Sequence, residues 1–482
     1  MARMDEKRRE MILKGDLLKT IIIICMPLAL YQFFNSCYNL LDQIICAQIS
    51  VTAQNAVSSI GQIKSAFSSF GAGLAAGGGV LVSRYYGAGE VNKARHASSN
   101  LFFMSIVLSV ILMVILIPLA EPLMRLCQIA EDSISIGVGF FRLQLLELAF
   151  VSLNSVFIGL EKAKGNSKIV LKLNILVLLV KLALTVLFVF GFNLKDIIFV
   201  ELATIIGQMV LTGIGLYYLF GKNNIIRLSL KMLLPKMEYS IKILKLSIPI
   251  FLGKFVMSLG KVVVNGMCGS YWNTATDGLI VGTLGVSNNM AGLITSPTNS
   301  FEEGESSVVS QNLGNKNIKR AVKAFTKTLI LTTIISVLGY VLMRFVFVDQ
   351  LVELFTSADS KSDTYKQMVK EIFEWDSLSI ISLGITAAVL GLLYGFGQTG
   401  LSTILNLSRI GSRIVILFIM HQYLPDMSPT LCAGLSMGIS NTIILIVSLT
   451  FLGIFMLRIK KHGYKGMKLT DPEPEMTELK YD

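Results

Sequence analysis

The chain has 482 residues, 53% of them hydrophobic and 15% charged, with a formal net charge of +12 and a mean hydropathy of +0.66. A soluble chain carries roughly 25% charged residues, so the polar surface of a soluble fold is missing and a membrane protein is the class that remains. The positive balance does not indicate a nucleic-acid partner, because the basic residues sit at the ends of apolar runs rather than along one face.

The segment before Asp16 is charged and reads as a short surface helix or tail. It is no secretory signal, since the apolar run after it is long and lacks a small-residue cleavage site. A bilayer core of about 30 Å needs about 20 helical residues. Twelve stretches meet that length: 17–48, 54–84, 96–119, 134–161, 168–191, 196–220, 241–268, 279–311, 325–346, 368–396, 400–421 and 429–457. The second and eighth exceed what a bilayer requires, so tilt, a kink or protrusion into water is expected there. The stretch from Lys468 to Asp482, with Pro472, Pro474 and alternating charge, reads as disordered.

Loop charge orients the spans. Arg3, Lys7, Arg8, Arg9, Lys14 and Lys19 precede the first span, Lys162, Lys164, Lys168 and Lys172 separate the fourth from the fifth, and Arg458, Lys460 and Lys461 follow the twelfth. On the opposite side, 49–53 and 269–278 carry no Lys or Arg. The positive-inside rule puts both termini in the cytoplasm, as a multi-pass protein of the plasma membrane.

The chain is one half written twice. Pro27 is echoed by Pro249, and Ser83-Arg84-Tyr85-Tyr86-Gly87-Ala88-Gly89 by Ser310-Gln311-Asn312-Leu313-Gly314-Asn315-Lys316. Gly165-Asn166-Ser167, Asn174 and Lys181 recur at constant offset as Gly397-Gln398-Thr399, Asn406 and Arg413. Six spans per half gives parallel repeats with a ligand path between them, the plan of an alternating-access transporter. The expected organisation is a cytoplasmic segment 1–16, an N-lobe 17–220, a cytoplasmic linker 221–240, a C-lobe 241–458 and a tail 459–482. The fold class is all-α integral membrane.

Cys25, Cys37, Cys46, Cys127, Cys268 and Cys432 have no CxxC spacing and read as small buried side chains. His96, His421 and His462 are too scattered for a zinc site, so no metal or other cofactor is expected.

Pro27 with Tyr38-Asn39-Leu40-Leu41-Asp42, the two motifs ending in Gly87 and Gly314, and Ala203-Thr204-Ile205-Ile206-Gly207-Gln208 resemble the multidrug and toxic compound extrusion (MATE) family, over about 17–457. The resemblance implies two six-helix bundles in a V around a central cavity. It also implies efflux of small amphipathic organic compounds in exchange for H+ or Na+, with lipids as surroundings. The same reading expects a monomer and no nucleic-acid partner. Asp42 matches a first-helix aspartate on which members bind the coupling cation, and Asn174 its polar partner. The family's further acids are missing: Leu178, Met257 and Leu383 stand at those positions.

Ionisable groups within spans are expensive, so each is a functional candidate. Lys64, Glu147, Lys181, Lys254, Lys261, Glu302, Glu303 and Arg413 are assigned to the substrate cavity or to gating; Glu305 and Asp376 also fall within spans. Lys254 and Lys261 share a helical face, and Lys181, Lys254 and Arg413 fall near mid-membrane. These lysines either contact substrate or form structural ion pairs with Glu147, Glu302 or Glu303. Repeat alignment sets Glu302 and Glu303 opposite Ala75 and Ala76, and Lys64 opposite Ala291, so folding does not demand these charges. A cationic cavity keeps a second reading open, a flippase or exporter of an anionic or lipid-linked substrate. A remote one is a membrane acyltransferase using His421 and Asp426.

Overall fold

In hydrocarbon a backbone must satisfy its own hydrogen bonds, so the apolar runs fold into long helices. The computed structural model describes residues 2–49, 51–126, 131–194, 196–222, 224–229, 232, 234–272, 274–276, 278–356 and 363–462, with backbone only at 2–3, 39–49, 51–59, 62, 126, 131–133, 135–136, 355–356 and 462. Its helices are α1 (Ala2–Lys14), α2 (Leu17–Ile49), α3 (Val51–Ala88), α4 (Val91–Leu116), α5 (Ala120–Leu126), α6 (Glu131–Ala163), α7 (Ser167–Val186) and α8 (Ile197–Phe220). After them come α9 (Met237–Trp272), α10 (Ile280–Gly314), α11 (Ile318–Val341), α12 (Val348–Thr356), α13 (Asp363–Asp376), α14 (Leu378–Gly395), α15 (Gly400–Tyr423) and α16 (Pro429–His462). There is no strand among the described residues.

By length and composition, eleven stretches among the described residues can cross a membrane. The remaining long helix, α10, is kept out of that set by Asn288, Asn289, Glu302, Glu303 and Glu305. The second span is longer than its apolar run, since α3 has 38 residues, about 57 Å at 1.5 Å per residue. The tenth span differs from its expected form. It begins at Asp363 and is divided at Ser377 into α13 and α14, leaving Asp376 at the break.

In the first half α6 packs on α3, α4 and α8, and α7 on α2 and α8; in the second α14 packs on α10, α11 and α16, and α15 on α9 and α16. The halves meet where α9 lies on α3 and α10 on α2 and α3. Duplication is visible in the turns. Gly165 (φ +75°) and Gly397 (φ +78°) end their helices in left-handed conformation, with amides bonded back to Lys162 O at 2.8 Å and Tyr394 O at 2.7 Å. Gly89 and Lys316 form a second such pair, φ +84° and +58°. The geometry persists even where the glycine does not.

One end of the molecule, carrying α1, is closed. A Cβ on Gly87 would overlap the Gln311 carbonyl, and one on Gly314 would overlap the Arg84 carbonyl. These contacts are reciprocal, each glycine meeting the residue three before its repeat partner. Around them Arg84 donates to Gly395 O (2.8 Å), Gln311 to Ala163 O (2.7 Å) and Ser307 to Lys162 O (2.8 Å). Further from this end Phe67 and Phe70 of α3 meet Phe251 and Phe255 of α9, with the Phe70 and Phe251 rings stacked at 3.9 Å.

The α1 helix is docked rather than loose. Tyr86 Oη donates to Asp5 O (2.8 Å), Arg9 to Gly87 O (2.9 Å) and Arg320 of α11 to Ile12 O (3.0 Å), so α1 is tied to both halves. Burial pushes the Asp5 carboxyl above the usual carboxylate range, against the pull of Lys164 and Arg8.

Candidate functional site

Three groups of charged side chains lie within the helical bundle. The first joins three helices of the N-terminal half. Lys64 (α3) donates from Nζ to Glu147 Oε2 (α6) and lies 3.7 Å from Glu201 Oε1 (α8), while Gln144 Nε2 donates to Glu201 Oε2 at 3.4 Å. Glu147 and Glu201 are buried and Lys64 is partly buried. Two carboxylates thus share one ammonium. Beside them Lys181 (α7) stands over the Tyr38 ring (α2), Nζ 4.1 Å from its centroid. Asn174 is buried, and its amide donates to Val170 O of its own helix at 2.8 Å. The Asp42 side chain lies outside the described residues, as do those of Cys46 and Cys127.

The second group spans the junction of the halves. Lys254 Nζ (α9) lies 4.0 Å from Glu302 Oε1 and 3.8 Å from Glu303 Oε1 (α10), and Lys162 from the end of α6 donates to Glu303 Oε2. Glu303 therefore joins a cation of its own half to one of the other. One turn nearer the closed end, Glu305 is fully buried and neither carboxyl oxygen has a hydrogen-bond partner among the described residues. Such a group is rare in native structures.

The third group belongs to the C-terminal half. Arg413 Nε donates to Ser440 Oγ (3.0 Å), Arg409 Nε to Asn441 Oδ1 (2.7 Å), and Ser287 Oγ to Asp376 Oδ2 (3.2 Å). Close packing of Gly260 on Ile410 brings α9 against α15, which sets the exposed Lys261 within electrostatic reach of Arg409, Arg413 and Asp376. Three cations here face one carboxylate. His421 is used in packing, its ring stacked on Tyr271 at 4.0 Å, and Asp426 is exposed.

The structure thus brings Lys64 together with Glu147, and Lys254 with Glu302 and Glu303. It places Lys261 with Arg413, and sets Lys181 against an aromatic ring. Glu201, Arg409 and Lys162 were missing from the expected site. Glu201 had a readable signal: it is an acid inside the apolar run 196–220, and the argument applied to Glu147 covers it. Lys162 had none, because as one of several loop cations it looked purely topological.

The MatE family model matches residues 27–187 and again 249–419, one match per half. Multidrug export protein MepA of Staphylococcus saprophyticus is 23% identical over 345 residues, 72% of this chain and 74% of that protein. The probable multidrug resistance protein YpnP of Bacillus subtilis is 25% identical over 309 residues, 64% of this chain and 67% of its own. Among solved structures, a MOP-superfamily transporter from Pyrococcus furiosus described as having a binding pocket of reverse polarity superposes with a TM-score of 0.86 at 18% identity, covering 94% of this chain and 98% of that one. A MATE transporter in an outward-facing conformation gives 0.86 at 19% identity, with the same coverage. The family match in each half, over most of the chain, makes this chain a transporter rather than an enzyme, and it belongs to the MatE family of multidrug and toxic compound extrusion proteins.

Proposed function

We propose that the protein exports amphipathic organic compounds across the plasma membrane by rocker-switch alternating access, in exchange for protons. The reading rests on the closed α1 end, built from reciprocal α3–α10 contacts, with the Lys64, Glu147 and Glu201 group further along the helices. With the α1 end cytoplasmic, as loop charge argues, this is the outward-facing state. Protons are favoured over Na+ by the first charged group. A sodium site needs oxygens around an empty position, and between Glu147 and Glu201 that position is taken by the Lys64 ammonium. Proton gain by one carboxylate changes the charge that Lys64 must balance, and a change of affinity between two states is what coupling requires. The family resemblance makes Asp42 the cation-responsive switch of the first span, with Asn174 of α7 as its polar partner.

The decisive measurement is transport in proteoliposomes with ΔpH and ΔpNa imposed separately. Uptake driven by ΔpH alone, and lost in Asp42→Asn, is expected; uptake that follows ΔpNa alone would overturn proton coupling.

A second reading concerns substrate charge. The third group holds Lys261, Arg409 and Arg413 against Asp376, which favours anionic or zwitterionic compounds over simple organic cations. The reverse-polarity pocket described for the Pyrococcus furiosus transporter is a parallel at the level of fold. Lys261→Ala should weaken recognition of anionic substrates by about tenfold and leave neutral ones unchanged.

A further inference from the structure

Away from the charged groups of the bundle, a cavity of about 260 Å³ opens at the α1 end, between α1, the α6–α7 turn and the end of α8. Four cations line it, Arg8, Lys164, Lys168 and Lys172, against two acids, Asp5 and Glu161. Arg8 is paired with Asp5 (2.7 Å), and the buried Lys164 with Glu161 (2.6 Å) and Asn224 Oδ1 (3.0 Å). Lys168 and Lys172 are exposed and in no ion pair among the described residues, so the cavity keeps two uncompensated positive charges. It is smaller than the roughly 300–1,000 Å³ of drug-sized sites.

What lies beyond the lysines identifies the ligand. Lys168, Lys172, Leu176, Leu179, Ala183 and Val186 fall on one face of α7 at a spacing of three or four residues, and all six are exposed. Two cations are followed by an apolar strip, Leu176 to Val186, of about 15 Å at the helical rise, about one leaflet of a core about 30 Å thick. A soluble phosphate would use the cations and ignore the strip. A phosphate carrying acyl chains matches both.

We infer that this cavity is a site for the phosphate headgroup of an anionic glycerophospholipid of the cytoplasmic leaflet, with its acyl chains along the exposed face of α7. The site rests on the orientation proposed above, and its test uses no transport assay. Basic pockets on the cytoplasmic side of helical bundles hold such headgroups, at about fivefold in affinity for each lysine near the surface.

The experiment is a thermal-shift titration of the purified full chain in neutral detergent with phosphatidylglycerol, phosphatidylcholine or sn-glycerol 3-phosphate. Saturable stabilisation by phosphatidylglycerol alone is expected. Its midpoint should weaken about fivefold in Lys168→Gln and about twenty-five-fold in the double variant with Lys172→Gln. The comparator Lys460→Gln with Lys461→Gln, at the end of α16, should match the wild type. Three results would overturn the proposal: an unchanged midpoint in the double variant, an equal loss in the comparator, or equal stabilisation of the wild type by glycerol phosphate. The last uses unaltered protein, so the question is answered even if a variant folds poorly.

Discussion

Charge pairing decides which single substitutions this protein tolerates. Removing one member of a buried pair costs more than the pair contributes, because the other charge stays behind without compensation. Glu147 is buried and held by Lys64, so Lys64→Met should destabilise the protein by about 3–5 kcal/mol. Lys64→Met with Glu147→Leu should recover part of that loss, and the further change Glu201→Leu most of the rest, since Glu201 shares the ammonium, read as midpoints of unfolding in detergent. Asp5 supplies the pH-dependent case. Its carboxyl is raised by burial, with Lys164, Glu161 and Arg8 as its charged neighbours. The docked state therefore holds a proton that the undocked state releases. Stabilisation of docked α1 is complete below the ordinary value of 3.8 and is lost as pH rises through the raised one. Amide exchange of residues 2–14 should quicken across that window, and Asp5→Asn should flatten the dependence. At this scale the sequence named Lys64, Glu147, Lys254, Glu302 and Glu303, yet Lys64 and Glu147 stand 83 positions apart. Pairing is a property of helix packing, which residue identity alone does not carry.

Helix limits were far more readable, for a physical reason. Apolar length and backbone self-satisfaction fix a membrane helix locally, so α2, α8, α10 and α15 begin within two residues of their predicted starts. No Pro or Gly announces the break at Ser377; its signal is the change from the charged α13 to α14, which carries no charged residue. The docking of α1 was hidden, since its bonds to Arg320 and Tyr86 depend on the folded ends of α3 and α11. Turn chemistry gives the prediction proper to this level. Gly397 holds φ +78°, where an L side chain costs about 1–2 kcal/mol. Gly397→Ala should lower thermal stability in detergent by that amount. Gly165→Ala should do the same and also loosen α1, because its new Cβ would meet Ile12 Cδ1 at 2.7 Å. Faster exchange of residues 2–14 in Gly165→Ala, and not in Gly397→Ala, is the expected contrast.

At the level of the molecule, duplication was legible as recurring motifs, and the structure turns it into a contact. Gly87 and Gly314 pack reciprocally where α3 crosses α10, so the seam is self-complementary in the manner of an isologous dimer interface. Its thermodynamics are those of a single latch with two identical keyholes. A methyl group in either keyhole forces the seam apart, and once it has parted the second methyl has nothing left to strike. Gly87→Ala and Gly314→Ala should therefore shift the protein by similar amounts toward the state open at the α1 end, and the double variant little further than either alone. Distance distributions between spin labels on α3 and α10 would report it, and strict additivity would mean the two contacts open independently. Because the glycines oppose each other through the repeat, neither half could gain a side chain there without parting a seam that both halves build.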